Sequence, residues 1–381
     1  MRIGINYTPA LRQGAGIGRY TRGLVSALAT LGAANRYTLV ISRDSPLDRL
    51  PPLPANFSLK TLPLSERALT ILWHRFNLPL AIDRLAGPFD LFHAPDFVLP
   101  PLRRAPGLLT VHDLSFLMHP DGALPNLRRW LRQVVPRSIA RARHVLADSH
   151  STKLDLQRLL NVPPDKISVV GAGVEPRFAP VTAPDVLARV RRTYRLPHHF
   201  ILGLGTLEPR KNFTGLIDAF TRLPADFSDV HLVIAGGKGW LYGPIFEAAA
   251  QSPAADRIHF TGFVADEDLL ALYSLARVFA YPSHYEGFGI PVLEAMACGT
   301  PVVTANNSSL PEIAGEAALL IEAADTPALA DALGRLCADD SLRRRCIRRG
   351  FDRVPLYTWP GAAQKLLAVY RQVIGPAAAQ N

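Results

Sequence analysis

Cysteine is scarce in this chain of 381 residues, which has only Cys298, Cys337 and Cys346, in no CxxC or metal-ligand spacing. A disulfide framework and a zinc–cysteine site are therefore not expected, and a reducing, cytoplasmic compartment fits the composition. Long apolar runs are also lacking, since none approaches the ~20 residues of a membrane-spanning helix. The first residues do not follow the layout of a signal peptide. We therefore expect a cytoplasmic protein without a membrane span.

Apolar residues are, in contrast, abundant. Hydrophobic residues make up 48% of the sequence and charged residues 19%, with 17 Phe, 10 Tyr and 4 Trp. This composition can fill hydrophobic cores, which argues against disorder and low complexity. Because the chain has about two to three times the usual length of one domain, two domains are expected.

The surplus of positive charge lies entirely in the first half. Residues 1–180 contain 23 Lys and Arg against 12 Asp and Glu, a net charge of +11, whereas residues 181–381 contain 19 against 20, a net charge of −1. Such asymmetry is typical of a half that faces nucleic acid, an acidic lipid surface or a phosphorylated substrate. An arginine-rich proteome that places Arg at solvated positions would produce the same surplus.

Short apolar runs alternate with segments of helical periodicity along the first half. The glycine-rich segment 14–18 separates a first strand, 2–7, from a helix over 17–31. A second helix, 127–142, carries several arginines beside an apolar stripe; it either packs that stripe on its own sheet or lies on an anionic membrane. A helix is also expected at 152–160, and further strands at 37–41, 91–93, 108–111, 145–147 and 167–170.

The same alternation restarts after the proline-rich stretch 174–184, which we interpret as a linker. Strands are expected at 200–204, 231–235, 258–260, 278–281, 302–304 and 318–321, with helices at 213–221, 266–274, 292–297 and 360–373. Strands that alternate with helices predict parallel sheets covered on both faces. We therefore predict an α/β fold of two doubly wound domains that face each other.

Two candidate ligand-binding segments in the first half lie where strands run into loops, the edge at which open parallel sheets bind ligands. Gly14, Gly16 and Gly18 would let backbone amides approach an anion at the start of a helix, although a plain tight turn explains them equally well. His112 and Asp113 follow the strand 108–111, which would place the histidine in the crevice. A buried structural histidine is the alternative.

A third candidate segment, 203–212, joins a strand to a helix in the second half. Arg210 and Lys211 follow Pro209 just before the helix begins. Two fixed cations at this position would clamp a diphosphate, and the arginine could bind it in bidentate fashion. A solvated surface pair is the alternative interpretation.

The most informative segment is 283–303, in which Glu286 ends a loop and Glu294 lies about one turn inside the next helix, which begins near Ile290. Gly287 and Gly289 free the backbone, so that amides of 287–290 can hold phosphate oxygens while Glu286 receives sugar hydroxyls. A carboxylate at Glu294 can accept both hydroxyls of a ribose, as acidic residues do in other nucleotide sites. Two glutamates at this spacing are common by chance, but not together with these glycines and the Ala-Met-Ala-Cys-Gly-Thr-Pro-Val-Val run that follows.

Taken together, these segments resemble the retaining glycosyltransferases of family 4, which have the GT-B fold of two facing Rossmann-like domains. The resemblance covers essentially the whole chain, and the motif around Glu286 and Glu294 is its most specific part. It implies transfer of a hexose, with retained anomeric configuration, from a nucleoside-diphosphate sugar to a hydroxyl of a glycan or lipid-linked acceptor. It also implies that no metal and no other cofactor is needed and that no nucleic acid is bound.

The resemblance assigns roles to individual residues. Glu286 would contact the transferred sugar, Glu294 the ribose and Lys211 the diphosphate. His112 would stand beside the transferred sugar, and the expected catalytic group is His112, Arg210, Lys211 and Glu286. The turn at 262–264 would read the nucleobase through its backbone. The remaining expected contacts to the sugar donor are Gly16, Thr206, Val264, Gly287, Phe288, Gly289 and Ile290.

One position departs from the family pattern. Many members carry an arginine where this chain has Thr206, whereas here the arginine stands beside the lysine, as Arg210, and would supply the same charge from a shifted position. By the same resemblance, residues 1–178 form an acceptor-binding domain and residues 179–356 a nucleotide-sugar domain, with a helix in 357–381 that returns to the first domain. The stretches 208–212 and 307–312 are similar to those of bacterial polysaccharide mannosyltransferases, which makes mannose from GDP-mannose the first expectation.

Two other functions stay open at this point. A nucleotide-sugar epimerase shares the two-lobed fold and would convert the sugar donor without any acceptor. A basic, non-catalytic protein that binds nucleic acid or a membrane would explain the charge, but the apparent donor site in the neutral half would then have no purpose. The basic first half also suggests an anionic membrane as an additional partner, at the inner face of the cytoplasmic membrane.

Overall fold

The computed structural model describes residues 1–14, 16–76 and 78–375. The chain divides into two compact units, and each is made of more than one segment. Of the described residues, the first unit contains those of Met1–Leu114 and Arg129–Gly173 and those from Tyr357 to Gly375, and the second contains Ser115–Arg128 and Val174–Leu356. Among the described residues, no helix combines the length and the apolar character needed to cross a membrane.

The first unit is built on a parallel sheet. Its strands are β1 (Arg2–Asn6), β2 (Arg36–Ile41), β3 (Phe57–Thr61), β4 (Leu91–Ala94), β5 (Gly107–Val111), β6 (His144–Ala147) and β7 (Ile167–Val169). Within the described part of the chain they lie in the order β3-β2-β1-β4-β5-β6-β7. Every residue of β4, β5 and β6 is buried, as expected for central strands covered on both faces. The strand order changes direction between β1 and β4, which is where such sheets bind ligands.

The second unit contains a second parallel sheet. Its strands are β8 (His199–Leu204), β9 (Val230–Ala235), β10 (Ile258–Gly262), β11 (Val278–Tyr281), β12 (Val302–Ala305) and β13 (Ala318–Ile321). Their order in the described residues is β10-β9-β8-β11-β12-β13. The direction of the order changes between β8 and β11, whose pairing aligns Ala280 with Gly203. The loops that follow these two strands therefore emerge side by side.

Helices cover the faces of both sheets. In chain order they are α1 (Thr8–Arg12), α2 (Ile17–Leu31), α3 (Glu66–Thr70, continued by a π-helical turn, Ile71–Arg75), α4 (Ile82–Leu85), α5 (Ser115–Met118), α6 (Pro125–Arg141), α7 (His150–Leu160), α8 (Pro184–Thr193), α9 (Phe213–Thr221), α10 (Gly243–Gln251), α11 (Leu269–Leu275), α12 (Ile290–Ala297), α13 (Leu310–Ala314), α14 (Thr326–Ala338), α15 (Asp340–Arg353) and α16 (Trp359–Ile374). The helix α6 buries Val134, Val135, Ser138 and Ile139. Its arginines at 129, 132, 137 and 141 are exposed.

The last helix, α16, packs on α2 in the first unit. Trp359 lies against Gly23 so closely that a Cβ atom there would come within 2.2 Å of the indole ring. Further along α16, the hydroxyl of Tyr370 lies 2.9 Å from Nδ1 of His93 on β4. These contacts explain why the closing segment belongs to the first unit.

The two units differ from the predicted domain boundaries in two places. The sequence prediction assigns residues 115–128 to the first domain, but this segment packs in the second unit. There Trp240 Nε1 donates to the carbonyl of Gly122 at 2.6 Å, and the ring of His119 stacks on that of His284 with their centres 6.0 Å apart. Residues 174–178 also belong to the second unit, because Phe178 is buried there against Tyr273. The stretch interpreted as a linker ends at Pro184, which begins α8.

Candidate active site

In the second unit, Arg210 and Lys211 lie in a short 3-10 turn after β8, and Glu286 lies in the loop after the neighbouring strand β11. Asn212 joins the two loops. It begins α9 in the left-handed conformation, and its side-chain amide donates to the carbonyls of Pro282 at 3.2 Å and Ala323 at 2.7 Å. This side chain therefore fixes the Arg–Lys turn against the loop that carries Glu286.

The carboxylate of Glu286 accepts hydrogen bonds from both cations. Oε1 lies 2.6 Å from Nζ of Lys211, and Oε2 lies 2.8 Å from Nη1 of Arg210. The second guanidinium nitrogen of Arg210 binds Glu208 at 2.5 Å, and Nζ of Lys211 also donates to the hydroxyl of Tyr281 at 2.7 Å. The structure thus brings Arg210, Lys211 and Glu286 together in a chain of alternating charges that begins at Glu208. We call these four residues the Glu286 cluster.

Burial strengthens the attraction between the opposite charges of this cluster. The side chain of Lys211 is 11% exposed and that of Glu286 is 9% exposed. Burial raises the pKa of Glu286, but the attraction of Arg210 and Lys211 outweighs it and brings the pKa to about 2. Burial lowers the pKa of Lys211, with Glu286 acting in the opposite direction, and burial raises the pKa of Glu208. Glu286 is therefore a carboxylate at neutral pH.

The loop from Glu286 leads directly into α12, which begins at Ile290. Gly289 precedes the helix with φ of 113°, a conformation that residues with a Cβ rarely adopt. The hydroxyl of Ser309 donates to two backbone carbonyls of this loop, that of Glu286 at 2.9 Å and that of Phe288 at 2.7 Å, and so fixes the loop. The helix α12 thus begins four residues after Glu286, and the positive end of its dipole is a place where a phosphate group could bind.

Three other residues predicted for the second unit, Glu294, Thr206 and Val264, have different surroundings. Glu294, inside α12, is 1% exposed and accepts a hydrogen bond from the hydroxyl of Tyr273 at 3.1 Å. Thr206 is exposed, and its methyl group lies against Gly239. Val264 is buried and follows Phe263, which is 73% exposed, just beyond β10.

In the first unit, the loops after β4, β5 and β6 bring a second group of ionisable residues together. His112 follows β5, and its Nδ1 lies 2.7 Å from Oδ2 of Asp148, which follows β6. Its Nε2 lies 2.8 Å from the carbonyl oxygen of Pro95, and Asp96 is the next residue along. Burial lowers the pKa of His112, but Asp148 and Asp96 outweigh it and raise the pKa to about 9.

The predicted glycine loop lies beside this group. Gly16 precedes α2 with φ of 52°, a left-handed conformation that favours glycine. Gln13, on the same loop, lies 3.4 Å from Oδ2 of Asp96 through its amide nitrogen. Ala15, in the middle of the predicted loop, is outside the described residues. Gly16 and His112 therefore belong to loops at one edge of the first sheet.

Sequence reasoning missed several residues of these two groups. Glu208 and Tyr281 bind the predicted cations, and Asp148 binds the predicted histidine. All three follow or end a strand at the carboxyl edge of a sheet, so the criterion applied to His112 and Glu286 would have found them. A further glycine-rich loop, 236–243, follows β9 and packs on the loop after β8, where the amide of Leu207 donates to the carbonyl of Gly237 at 2.9 Å.

A cavity of about 450 Å³ lies in the second unit next to Arg210. Its lining includes Met118 and His119 from the segment 115–128, together with Phe213, Leu241 and His284. Burial lowers the pKa of both histidines, so they are neutral near pH 7. The segment that departs from the predicted domain boundary therefore shapes the surroundings of Arg210.

Comparison with known proteins finds a glycosyltransferase family match in each half of the chain. The family described as "Glycosyltransferase Family 4" matches residues 14–178, and the family described as "Glycosyl transferases group 1" matches residues 193–353. The chain is 31% identical over 369 residues to O-antigen chain mannosyltransferase B of Escherichia coli, and the match covers 93% of this chain and 96% of that protein.

Solved structures show the same architecture. Sucrose-phosphate synthase from Thermosynechococcus elongatus matches with a TM-score of 0.76 at 22% identity, over 98% of this chain and 99% of that chain. HepE of Anabaena, solved with UDP and glucose, matches with a TM-score of 0.71 at 18% identity, over 97% and 98%. The predicted fold class is confirmed, because the two parallel-sheet units are the Rossmann-like domains of the GT-B fold. On the extent of these matches, the chain belongs to the glycosyltransferases of family 4.

Proposed function

We propose that this glycosyltransferase moves a hexose from a nucleoside-diphosphate sugar to a hydroxyl of a glycan or lipid-linked acceptor, with retained anomeric configuration. The observation that carries the proposal is the Glu286 cluster, in which one ionised carboxylate is held by Lys211 at 2.6 Å and by Arg210 at 2.8 Å. A carboxylate accepts hydrogen bonds from sugar hydroxyls, and the adjacent cations match a diphosphate.

The cluster suits the charge that develops during transfer. As the bond between the sugar and the diphosphate breaks, negative charge grows on the leaving group and positive character grows on the sugar. An ammonium group has three N–H donors, of which Lys211 uses two for Glu286 and Tyr281. The third can meet a phosphate oxygen, so that Lys211, Arg210 and the start of α12 stabilise the leaving group. In this proposal the cations do this without a metal ion.

Retention by two successive displacements would need a carboxylate nucleophile beneath the sugar. Glu286 is a poor nucleophile, because both of its oxygens accept hydrogen bonds from cations and its pKa is about 2. We therefore favour departure and attack on the same face of the sugar, with His112 beside the transferred ring. Glu294 would bind the ribose, and the backbone at Val264 would meet the nucleobase.

We take mannose as the first candidate for the transferred sugar and GDP-mannose as its donor, in the synthesis of a cell-surface polysaccharide. The support is the name of the Escherichia coli relative, an O-antigen chain mannosyltransferase, whose match extends over nearly the whole of both chains. HepE was solved with UDP and glucose, which makes UDP-glucose the natural competitor in any test.

A thermal-shift panel of nucleotide sugars, followed by product analysis, tests the proposal. We expect GDP-mannose to raise the unfolding temperature most, since a ligand that binds only the folded state stabilises it. NMR of the product made with an oligosaccharide acceptor should then show the anomeric configuration of the donor. Release of an inverted product would refute retention. Formation of an isomerised nucleotide sugar without any acceptor would instead establish an epimerase.

We also propose that the first unit lies on the inner face of the cytoplasmic membrane. The support is a surface on which exposed arginines of α6 lie near exposed apolar side chains. The ring of His74 lies 6.4 Å from that of Trp130 on α6, and Phe76, which follows the π-helical turn containing His74, is 62% exposed. Flotation with liposomes tests this proposal. Binding should require anionic lipid and should weaken when Arg132 and Arg137 are replaced by Gln. Binding that is equally strong on neutral liposomes would contradict the proposal.

A further inference from the structure

Asp148 is a buried carboxylate that the proposed reaction does not use. It follows β6, and the residue is 6% exposed. Its Oδ2 lies 2.7 Å from Nδ1 of His112, while its Oδ1 has no hydrogen-bond partner among the described residues. A buried carboxylate is costly unless it is paired. The histidine is therefore the group that this carboxylate serves.

The partners of His112 determine the protons on its ring. The carbonyl oxygen of Pro95, 2.8 Å from Nε2, can only accept a hydrogen bond, so Nε2 carries a proton. Burial raises the pKa of Asp148, with His112 acting in the opposite direction. In its ionised form Asp148 can also only accept, so Nδ1 then carries a proton as well. A ring that donates from both nitrogens is an imidazolium and has no lone pair with which to take up a proton.

We infer that Asp148 is a positioning residue, which keeps His112 protonated and oriented so that His112 acts in sugar transfer as a fixed positive charge and not as a base. This inference rests on the function proposed above. In that reaction a fixed cation would stabilise a substrate oxygen that carries negative charge, while an acceptor hydroxyl would have to lose its proton elsewhere.

Two carboxyl groups and two neutral rings face His112. Asp148 faces it from the end of β6, and Asp96 faces it from the loop after β4. Burial raises the pKa of Asp96 to about 6, so this carboxyl is ionised above that pH. His93 on β4 has a pKa of about 3, lowered by burial and by His112, and is neutral. Tyr20 on α2, whose ring lies 5.0 Å from the imidazole, has a pKa raised by burial and is also neutral.

The Asp148→Asn variant tests the inference through the pH dependence of kcat/KM. In the wild type, the activity that depends on His112 should fall only as the pH passes about 9. Without the carboxylate of Asp148, burial still lowers the pKa of the ring and only Asp96 and the carbonyl of Pro95 raise it, so this fall should move to a clearly lower pH. Asp148→Glu keeps the charge and should restore the fall to a pH near that of the wild type.

A matched control is Asp155→Asn on α7. Asp155 is a buried aspartate of the same unit, and it pairs with Arg158 at 3.1 Å. Its substitution should leave the pH profile unchanged. A loss of activity by Asp148→Asn that is equal at every pH would mean a merely structural role and would overturn the inference. An unchanged profile in an active Asp148→Asn enzyme would overturn it too.

Nitrogen-15 NMR of the labelled histidines gives a second test that needs no substrate. The His112 signals, assigned by their loss in His112→Gln, should be those of a doubly protonated ring at neutral pH. Signals of a neutral tautomer would overturn the inference even if the wild type transferred sugar normally. If the wild type formed no glycosidic product with any nucleotide sugar, the proposed function would fail instead, whatever the NMR result.

Discussion

Replacing Lys211 by Met removes one of the two cations that hold Glu286 and keeps a side chain of similar length. Nζ of Lys211 lies 2.6 Å from Glu286 and 2.7 Å from the hydroxyl of Tyr281, and 4.9 Å from the centre of the tyrosine ring. Methionine is flexible and fills irregular spaces. Lys211→Met should therefore remove the charge and its hydrogen bonds while the packing is largely kept.

The expected loss falls on the rate of transfer. Arg210 still binds Glu286 at 2.8 Å, so the carboxylate stays ionised and able to receive sugar hydroxyls. What is lost is a fixed donor to the leaving diphosphate, and loss of one such donor costs ~3 kcal/mol of transition-state stabilisation, or roughly a hundredfold in rate. Because the charge on the leaving group develops mainly in the transition state, kcat should fall far more than KM rises.

The assay is steady-state release of the nucleoside diphosphate in the presence of acceptor. Lys60→Met is a matched control, because Lys60 is an exposed lysine on β3 of the first unit. It should keep wild-type kinetics, and urea unfolding should show that both variants are folded. A kcat of Lys211→Met close to that of the wild type, or a change confined to KM, would refute the assignment of Lys211 to the leaving group.

Three predictions concern stability. The pKa of Glu286 is about 2 in the folded protein against an ordinary 4.5, so its ionised carboxylate stabilises the folded state above pH 4.5, and this contribution is lost as the pH falls towards 2. In urea unfolding, Glu286→Gln should therefore destabilise the protein by ~3 kcal/mol at neutral pH and by much less near pH 2. The pKa of His112 is about 9 in the folded protein against an ordinary 6.5, so the difference in unfolding free energy between wild type and His112→Gln should be largest below pH 6.5 and shrink as the pH rises to 9. A difference that stays constant with pH would contradict the claim that His112 is an imidazolium. Ser309→Ala leaves the carbonyls of Glu286 and Phe288 without their hydroxyl partner and should cost ~1–3 kcal/mol, with faster amide exchange in the loop before α12; unchanged exchange would show that Ser309 does not hold the loop.

The central strands could be predicted from the sequence because parallel strands covered on both faces read as short apolar runs. Two of the elements that were missed have another character. β3 lies at the edge of its sheet and buries only Phe57, and α15 buries only Leu342, Cys346 and Gly350 among many charged residues. Patterns as narrow as these are hard to distinguish from loops.

The candidate site could be predicted where its residues share one segment and not where they pair across the sheet. Arg210 with Lys211, and Glu286 with its two glycines, form short motifs that lie at strand ends. His112 and Asp148 are 36 residues apart on separate strands, and only the strand order brings them together. The segment 115–128 likewise shows no change of composition that would reveal its packing in the second unit.

The central claim is that the Glu286 cluster binds the diphosphate sugar, and a crystal structure with the bound nucleotide sugar tests it most directly. We predict phosphate oxygens within hydrogen-bond distance of Nζ of Lys211, about 3 Å, and sugar hydroxyls on the carboxylate of Glu286. A nucleotide sugar bound at another place, with Lys211 and Arg210 keeping only the protein contacts described above, would contradict the claim.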